Sequence, residues 1–403
     1  MIYIVTLIGI LVCVVAFDFG RINNPRLKRI CYASILIWLT ALAGFSYNVG
    51  ADIPGYMRQY AEIGRHHFET WKDFAYFENR QPGWMLLNIL CSGISKRFVL
   101  LMVVIAVFAN CIIFKYIKNH TKYVFLGILL YYVCSYLNWN FNSLRQTVAI
   151  AFFLLGYDYL VDKKWIKYYT CCFGAFMFHS TAAVCFLFPF FYLIRINTKW
   201  LIVSMSLVVV VAFFAIRMGG ADFVSDLVLQ NAELASLIAD NADQLAETYF
   251  GDNAKEYGKL NLFGLAAMLI YSMPIILVII GASRKTINLP HISNSLLLFY
   301  LILYFMDFVI PVVFMRFLMY LDVVYFCALS EFVMEFPKKL IFPRNIVTIC
   351  LLCVALYRPV QTLFAVNMST DIPFYRQFYP YYSVFDPQID PLRSANFGAY
   401  REK

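Results

Sequence analysis

Four residues in apolar or turn-forming surroundings have side chains suited to chemistry. They are Asp52 in NVGADIPGY, Arg145 in FNSLRQTVAIAFFLLG, His179 in FGAFMFHSTAAVCF and Arg316 in VIPVVFMRFLMYLD. A guanidinium at the edge of hydrocarbon either snorkels to the headgroups or holds an anion. Its planar fork can grip a phosphate through two parallel hydrogen bonds. A diphosphate carries enough negative charge to use both arginines. No Asp, Glu, Lys or Arg lies between Lys167 and Arg195, so His179 stands in a long uncharged run. An imidazole there is either a structural hydrogen-bonder or, beside Ser180 and Thr181, a general base near neutral pH. Asp52 sits in a turn built by Gly50, Pro54 and Gly55. It can cap the next element, pair with an arginine or accept a proton from a hydroxyl.

Other candidates read as structural. No HxxxH pattern or Cys/His set accompanies His179, so neither a metal nor another cofactor is expected. Cys350 and Cys353 form a CxxC inside VTICLLCVALY, and Cys13, Cys91, Cys134 and Cys185 also lie in apolar runs. Such cysteines behave as small hydrophobes. The tail NMSTDIPFYRQFYPYYSVFDPQID is rich in Tyr, Phe and Pro and includes Tyr381 and Tyr382. Those rings suit either an interfacial belt or the flat faces of sugars.

The elements that must position these residues follow from composition. The chain is 62% hydrophobic and 14% charged, with a mean hydropathy of +0.69. A soluble domain is about a quarter charged and could not hide so much apolar surface. Long uninterrupted apolar runs point to membrane-spanning helices and not to barrel strands. The first run, 1–17, lacks a basic flank and a cleavage site and reads as a retained span. Further spans are expected near 28–46, 98–114, 123–139, 143–161, 200–217, 262–281, 293–311, 317–335 and 345–365. The total is about 10–12 crossings within a single polytopic domain, 1–403. The net charge of +9 is spread over short Lys/Arg clusters between spans, a topology signal and not a nucleic-acid footprint.

Two stretches break the simple count. PGWMLLNILCSGI (82–94) is too short to span comfortably and is expected to be re-entrant or interfacial. The stretch 168–194 is long and is expected to go out and return, turning at about His179 and Ser180. With both conditions met, all six basic clusters fall on the cytoplasmic side. Asp52, Arg145, His179 and Arg316 then share the outer face, with external loops at about 47–81 and 218–260 and the aromatic tail at about 366–403.

The ordered pieces FSYNVGADIPGY, NRQPGWMLLNIL, FNSLRQTVAIAFFLLGYDYL and AFMFHSTAAVCFLFPFF resemble the EpsG-type branch of the bacterial O-antigen and exopolysaccharide polymerases, Wzy-like membrane glycosyltransferases. They occupy the first half of the chain. Gly50, Asp52, Tyr56, Pro82, Gly83, Arg145, Gln146 and His179 match the pattern, whereas Ser46 replaces an arginine and Gln81 a glutamate. The resemblance implies an all-α, GT-C-like bundle in the bacterial plasma (inner) membrane, with its active site facing the periplasm or exterior. It implies donor and acceptor oligosaccharides carried on undecaprenyl diphosphate, joined into an O-antigen, capsule or exopolysaccharide. A flippase and a chain-length regulator are the implied partners besides the bilayer.

In that chemistry an acceptor hydroxyl attacks the anomeric carbon and the lipid diphosphate leaves. Preorganised cations stabilise the departing charge. The implied roles are diphosphate binding for Arg145, Arg316 and Gln146, and proton removal by His179 or Asp52, with His179 preferred. Tyr56, which matches the pattern, is an expected substrate-binding aromatic, and Tyr381 and Tyr382 of the tail are expected beside it on the sugar-face reading of those rings. A flippase is the first rival, but internal repeats are lacking and the charges gather at one face. A membrane acyltransferase using His179 would want donor access from the cytoplasm.

Overall fold

The computed structural model of the chain describes residues 2–20, 22–65, 81–194, 262–309, 311–336, 344–367 and 372–391, together with 203 and 393. The expected span near 200–217 and the acidic stretch 218–260 lie outside these residues. Among the described residues, seven helices are long and apolar enough to cross a membrane. They are Ile2–Phe19, Pro25–Gly44, Val99–His120, Val124–Phe141, Leu144–Val161, Phe314–Glu335 and Ile346–Phe364. Apolar helices also cover Leu262–Ser283 and His291–Val309. The chain is an all-α, multi-span integral membrane protein, with strand confined among the described residues to the two-residue pair Val366–Asn367 and Ile372–Pro373.

Local chemistry sets the helix boundaries. The Asn24 side chain accepts from the Leu27 amide, and Pro25 opens the following helix where its missing N–H costs nothing. Pro82 opens Pro82–Ile94 in the same way. That helix has 13 residues and is about 20 Å long at 1.5 Å per residue, short of a bilayer core of about 30 Å. The stretch 168–194 breaks where expected. Trp165–Phe176 ends, the Phe178 and His179 amides both donate to the Ala175 carbonyl, and a 3₁₀ segment runs Ser180–Leu193. The expected loop 47–81 contains a helix, Ile53–Arg65. Ile53, Tyr56, Tyr60 and Ile63 recur at helical spacing and are buried, which orders the segment on the protein instead of leaving it as a loop.

The chain divides into two compact units, residues 1–183 with 356–403, and residues 184–355. In the first unit Val99–His120 packs against Pro25–Gly44 and Leu144–Val161, and Leu144–Val161 packs against Trp165–Phe176. Small residues permit the last approach. A methyl group at Gly156 would meet Cys171 Cβ at 2.8 Å, and one at Gly174 would meet the Phe152 ring at 3.0 Å. Ile53–Arg65 lies on Pro82–Ile94, which in turn lies on Val99–His120. In the second unit Leu262–Ser283, His291–Val309 and Pro311–Glu335 pack on one another, and the Tyr300 hydroxyl donates to Asp322 Oδ1 at 3.0 Å.

A closed ring of polar side chains lies inside the first unit. Asn110 Nδ2 donates to Asn140 Oδ1 at 3.0 Å, Asn140 Nδ2 to the Tyr131 hydroxyl at 3.0 Å, and that hydroxyl to Asn110 Oδ1 at 2.9 Å. All three residues are buried, and besides the ring Asn110 and Asn140 each donate only to one carbonyl, of Ala106 and Tyr136 respectively, among the described residues. Asn140→Leu is expected to orphan one donor on Asn110 and an acceptor on Tyr131 and to destabilise the unit by about 1–3 kcal/mol. Thermal unfolding in detergent reads this as a lowered midpoint, and an unchanged midpoint would refute it.

Candidate functional site

Arg145 occupies the first turn of Leu144–Val161 and is half-buried. Its Nη1 donates to Gln81 Oε1 at 2.9 Å, and its guanidinium carbon stands 5.9 Å from the centre of the Tyr56 ring. That distance is within reach of a cation–π attraction. Its Nε is buried with no hydrogen-bond partner among the described residues. Gln146, the next residue, is buried.

The surroundings tie three separate motifs together. Tyr56 lies against Trp84, ring centres 5.2 Å apart, and Trp84 Nε1 donates to Gln59 Oε1 at 3.2 Å. Gly83 donates its amide to the Met177 carbonyl at 2.8 Å. A Cβ at Gly83 would meet that same carbonyl oxygen at 2.8 Å and the Phe178 ring at 3.0 Å. Phe178 stacks on Phe152, 5.5 Å between centres, two turns along the helix that carries Arg145. Beneath these contacts Tyr56, Trp84, Leu144 and Val148 share one apolar cluster, with Phe152 and Phe178 at its margin. The QPGW element therefore touches Arg145 through Gln81, the Tyr56 helix through Trp84 and the turn before His179 through Gly83.

His179 is 9% exposed, and its Nδ1 lies 2.7 Å from Thr181 Oγ1 and 3.3 Å from the Thr181 amide nitrogen. A backbone amide can only donate, so Nδ1 is assigned as the acceptor and the neutral ring carries its proton on Nε2. In this arrangement Nε2 is the donor nitrogen of His179. Asp52 is exposed and immediately precedes Ile53–Arg65, and its carbonyl accepts from the Tyr56 amide at 3.1 Å. The turn before it docks onto the residues leading to Arg145. Ala51 N donates to Asn142 Oδ1 at 2.7 Å, and Gly50, at φ +108°, lies so close that a side chain there would run into the Phe141 carbonyl.

Arg316 belongs to the second unit, half-buried near the start of Pro311–Glu335. Tyr381 and Tyr382 are engaged by the first unit itself. The Tyr381 hydroxyl donates to the Leu42 carbonyl at 3.0 Å, and burial pushes its pKa up to about 12. The Tyr382 carbonyl accepts from the Tyr47 amide, and its ring lies 5.8 Å from the Arg393 guanidinium carbon. No group of three or more metal-ligating side chains occurs among the described residues.

Gln377 and Arg393 escaped sequence reading. Gln377 accepts at Oε1 from Asn142 Nδ2 at 2.8 Å, and its carbonyl accepts from the Gly50 amide. Arg393, 2% exposed, donates to the Asn48 carbonyl at 2.6 Å and also to the carbonyls of Pro380 and Arg376. The available signal was weak: two polar residues in an aromatic tail, far in sequence from the turn they hold.

These features define a multi-span membrane protein with an arginine set between a tyrosine ring and an amide oxygen, on an element that also meets the turn before a buried histidine. The model of the EpsG family matches residues 29–383, most of the chain and well beyond the half that carries the motifs. The chain belongs to the EpsG family, a polysaccharide polymerase-type family. No curated protein and no solved structure matches it.

Gly83→Ala tests whether the QPGW element must touch the His179 turn. The added methyl has to displace backbone, so polymer synthesis by the purified protein is expected to fall steeply while Arg145 and Tyr56 are still present. Wild-type synthesis in Gly83→Ala would show the contact to be dispensable.

Proposed function

We propose that the chain polymerises oligosaccharide repeat units carried on a polyprenyl diphosphate, with Arg145 holding the diphosphate that leaves. The observation that carries this reading is the arrangement around Arg145. Its neighbours Gln81 and Tyr56 orient the guanidinium without neutralising it, and its Nε is buried and unpartnered among the described residues. A fixed cation with no carboxylate partner among the described residues stabilises negative charge that develops as the glycosidic bond to the diphosphate breaks. Gln146 is proposed as a polar neighbour orienting phosphate or sugar. Tyr56, Tyr381 and Tyr382 are proposed as surfaces for sugar rings, in keeping with aromatic amphipathicity.

The acceptor hydroxyl must lose a proton as it attacks. Asp52 is exposed and ionisable beside the Tyr56 helix, which suits a base. His179, with its proton on Nε2, suits hydrogen-bond donation to the phosphate or the departing oxygen. This assigns the base to Asp52, where sequence alone favoured His179.

The basic residues support an external site. Lys115, Lys118 and Lys122 lie toward or just past the C-terminal end of Val99–His120, and Lys163, Lys164 and Lys167 follow the C-terminal end of Leu144–Val161. His120 Nε2 meets Asp158 Oδ1 at 2.9 Å, which brings these two ends together, opposite the end that bears Arg145. Positive residues mark the cytoplasmic side. Arg145 would then face the periplasm or exterior of a bacterial plasma membrane, where undecaprenyl-diphosphate-linked donor and acceptor meet. A flippase and a chain-length regulator are the proposed partners.

Purified protein incubated with a lipid-linked repeat unit is expected to produce a ladder of longer lipid-linked glycans. Translocation without lengthening would favour a flippase and overturn the proposal. Arg145→Lys keeps the charge but lacks the fork, so a loss of ladder is expected with folding retained. In Gln81→Glu a carboxylate would compete with the diphosphate for Arg145, and weaker donor binding, read as a raised KM, is the expected result. Asp52→Asn should lower kcat about 100-fold or more if Asp52 is the base. His179→Gln keeps an N–H donor and should be milder than His179→Ala. Equal inactivation by both His179 variants would return the base to His179.

A further inference from the structure

The C-terminal tail lies along the first unit as a strap. Gly50 N donates to the Gln377 carbonyl at 2.9 Å, Tyr47 N to the Tyr382 carbonyl at 2.9 Å and Val384 N to the Phe45 carbonyl at 2.9 Å. The Tyr3 hydroxyl donates to the Phe378 carbonyl at 3.0 Å. These bonds occupy backbone groups of the 45–50 turn, which would otherwise have to find water or leave polar atoms unpaired.

The strap converges on one side chain. Asn142 Oδ1 accepts from the Ala51 amide at 2.7 Å, while Asn142 Nδ2 donates to Gln377 Oε1 at 2.8 Å. Asn142 precedes Arg145 by three residues, and Ala51 precedes Asp52 by one. One amide therefore joins the tail, the Asp52 turn and the mouth of the Arg145 helix. Arg393 secures the same tail from its far end. Its guanidinium holds the Asn48 carbonyl of the turn and the Pro380 and Arg376 carbonyls of the tail. Burial pulls the Arg393 pKa down, partly offset by Asp390, yet a guanidinium remains charged at any ordinary pH. Three carbonyl oxygens in place of water fit a residue whose task is to fix backbone.

We infer that Gln377, through Asn142, is a positioning residue for the polymerisation site, with Arg393 as its anchor. The inference rests on the proposed roles of Arg145 and Asp52. Neither Gln377 nor Arg393 needs to touch substrate. Their effect is to keep the Asp52 turn and the Arg145 helix in one geometry, and small displacements of reacting groups are costly to rate.

The test is steady-state synthesis by the purified full chain with a lipid-linked repeat unit, alongside thermal unfolding of each variant. Gln377→Met matches the side-chain length but removes the acceptor, and kcat is expected to fall about tenfold with KM near wild type. Gln377→Glu keeps an acceptor oxygen for Asn142 Nδ2 and is expected to restore most of kcat. Asn142→Leu combined with Gln377→Met is expected to be no worse than Asn142→Leu alone, because both break one link. Arg393→Lys, which offers one compact charge to three carbonyls, is expected to lower kcat in the same sense. Wild-type kcat in Gln377→Met, failure of Gln377→Glu to exceed it, or losses that merely track the fraction unfolded would each overturn the inference. Arg145→Lys run in parallel separates the two readings. If it polymerises normally, the diphosphate role falls and this inference with it. If it is impaired while Gln377→Met is normal, only the strap falls.

Discussion

A guanidinium cannot shed its proton, so a half-buried arginine in a membrane protein has to be met by fixed dipoles, rings or a counter-ion. Arg145 meets an amide oxygen from Gln81 and the face of Tyr56, and no carboxylate pairs with it among the described residues. Much of the first unit is organised to sustain that choice. Gln81 is held because Pro82 starts a helix whose Trp84 is buried against Tyr56, and Tyr56 is held because Ile53, Tyr60 and Ile63 bury the same helix face. Removing any one of these contacts loosens the shell around the Arg145 guanidinium.

The spans among the described residues, the short helix at 82–94 and the break at His179 were legible in sequence because each depends on local signals. Apolar length, a proline at a helix start and a polar interruption in an apolar run all act within a few residues. The helix Ile53–Arg65 was missed because charged Arg58, Glu62 and Arg65 mask its buried stripe, and a mixed-charge segment between spans reads as loop. Of the candidate site, Arg145, Tyr56 and the QPGW element could be named from sequence, but not the contact that joins Gly83 to Met177. That contact depends on two backbones approaching closely, which residue type hints at only through the glycine.

The tail illustrates a different limit. Its aromatics suggested a membrane belt or a sugar platform, and sequence could not choose between them. The structure shows that Tyr381 and Phe378 serve packing as well, edge-on to Tyr3 and beside Phe141 respectively. Gln377 and Arg393 act on residues 235 and 345 positions away. No periodicity reports such a contact, because it depends on how the whole unit closes.

Closure of this kind is thermodynamically cheaper than the sequence separation suggests. The entropy of joining two chain points grows only with the logarithm of the loop between them. The tail's backbone bonds satisfy amides of Tyr47 and Gly50, which lie between the helices Pro25–Gly44 and Ile53–Arg65, where neither element supplies them. The same bonds that satisfy those amides also fix the register of the turn relative to Asn142. Stability of the turn and alignment of Asp52 with the Arg145 helix therefore come from one set of contacts, and a substitution in the tail acts on both.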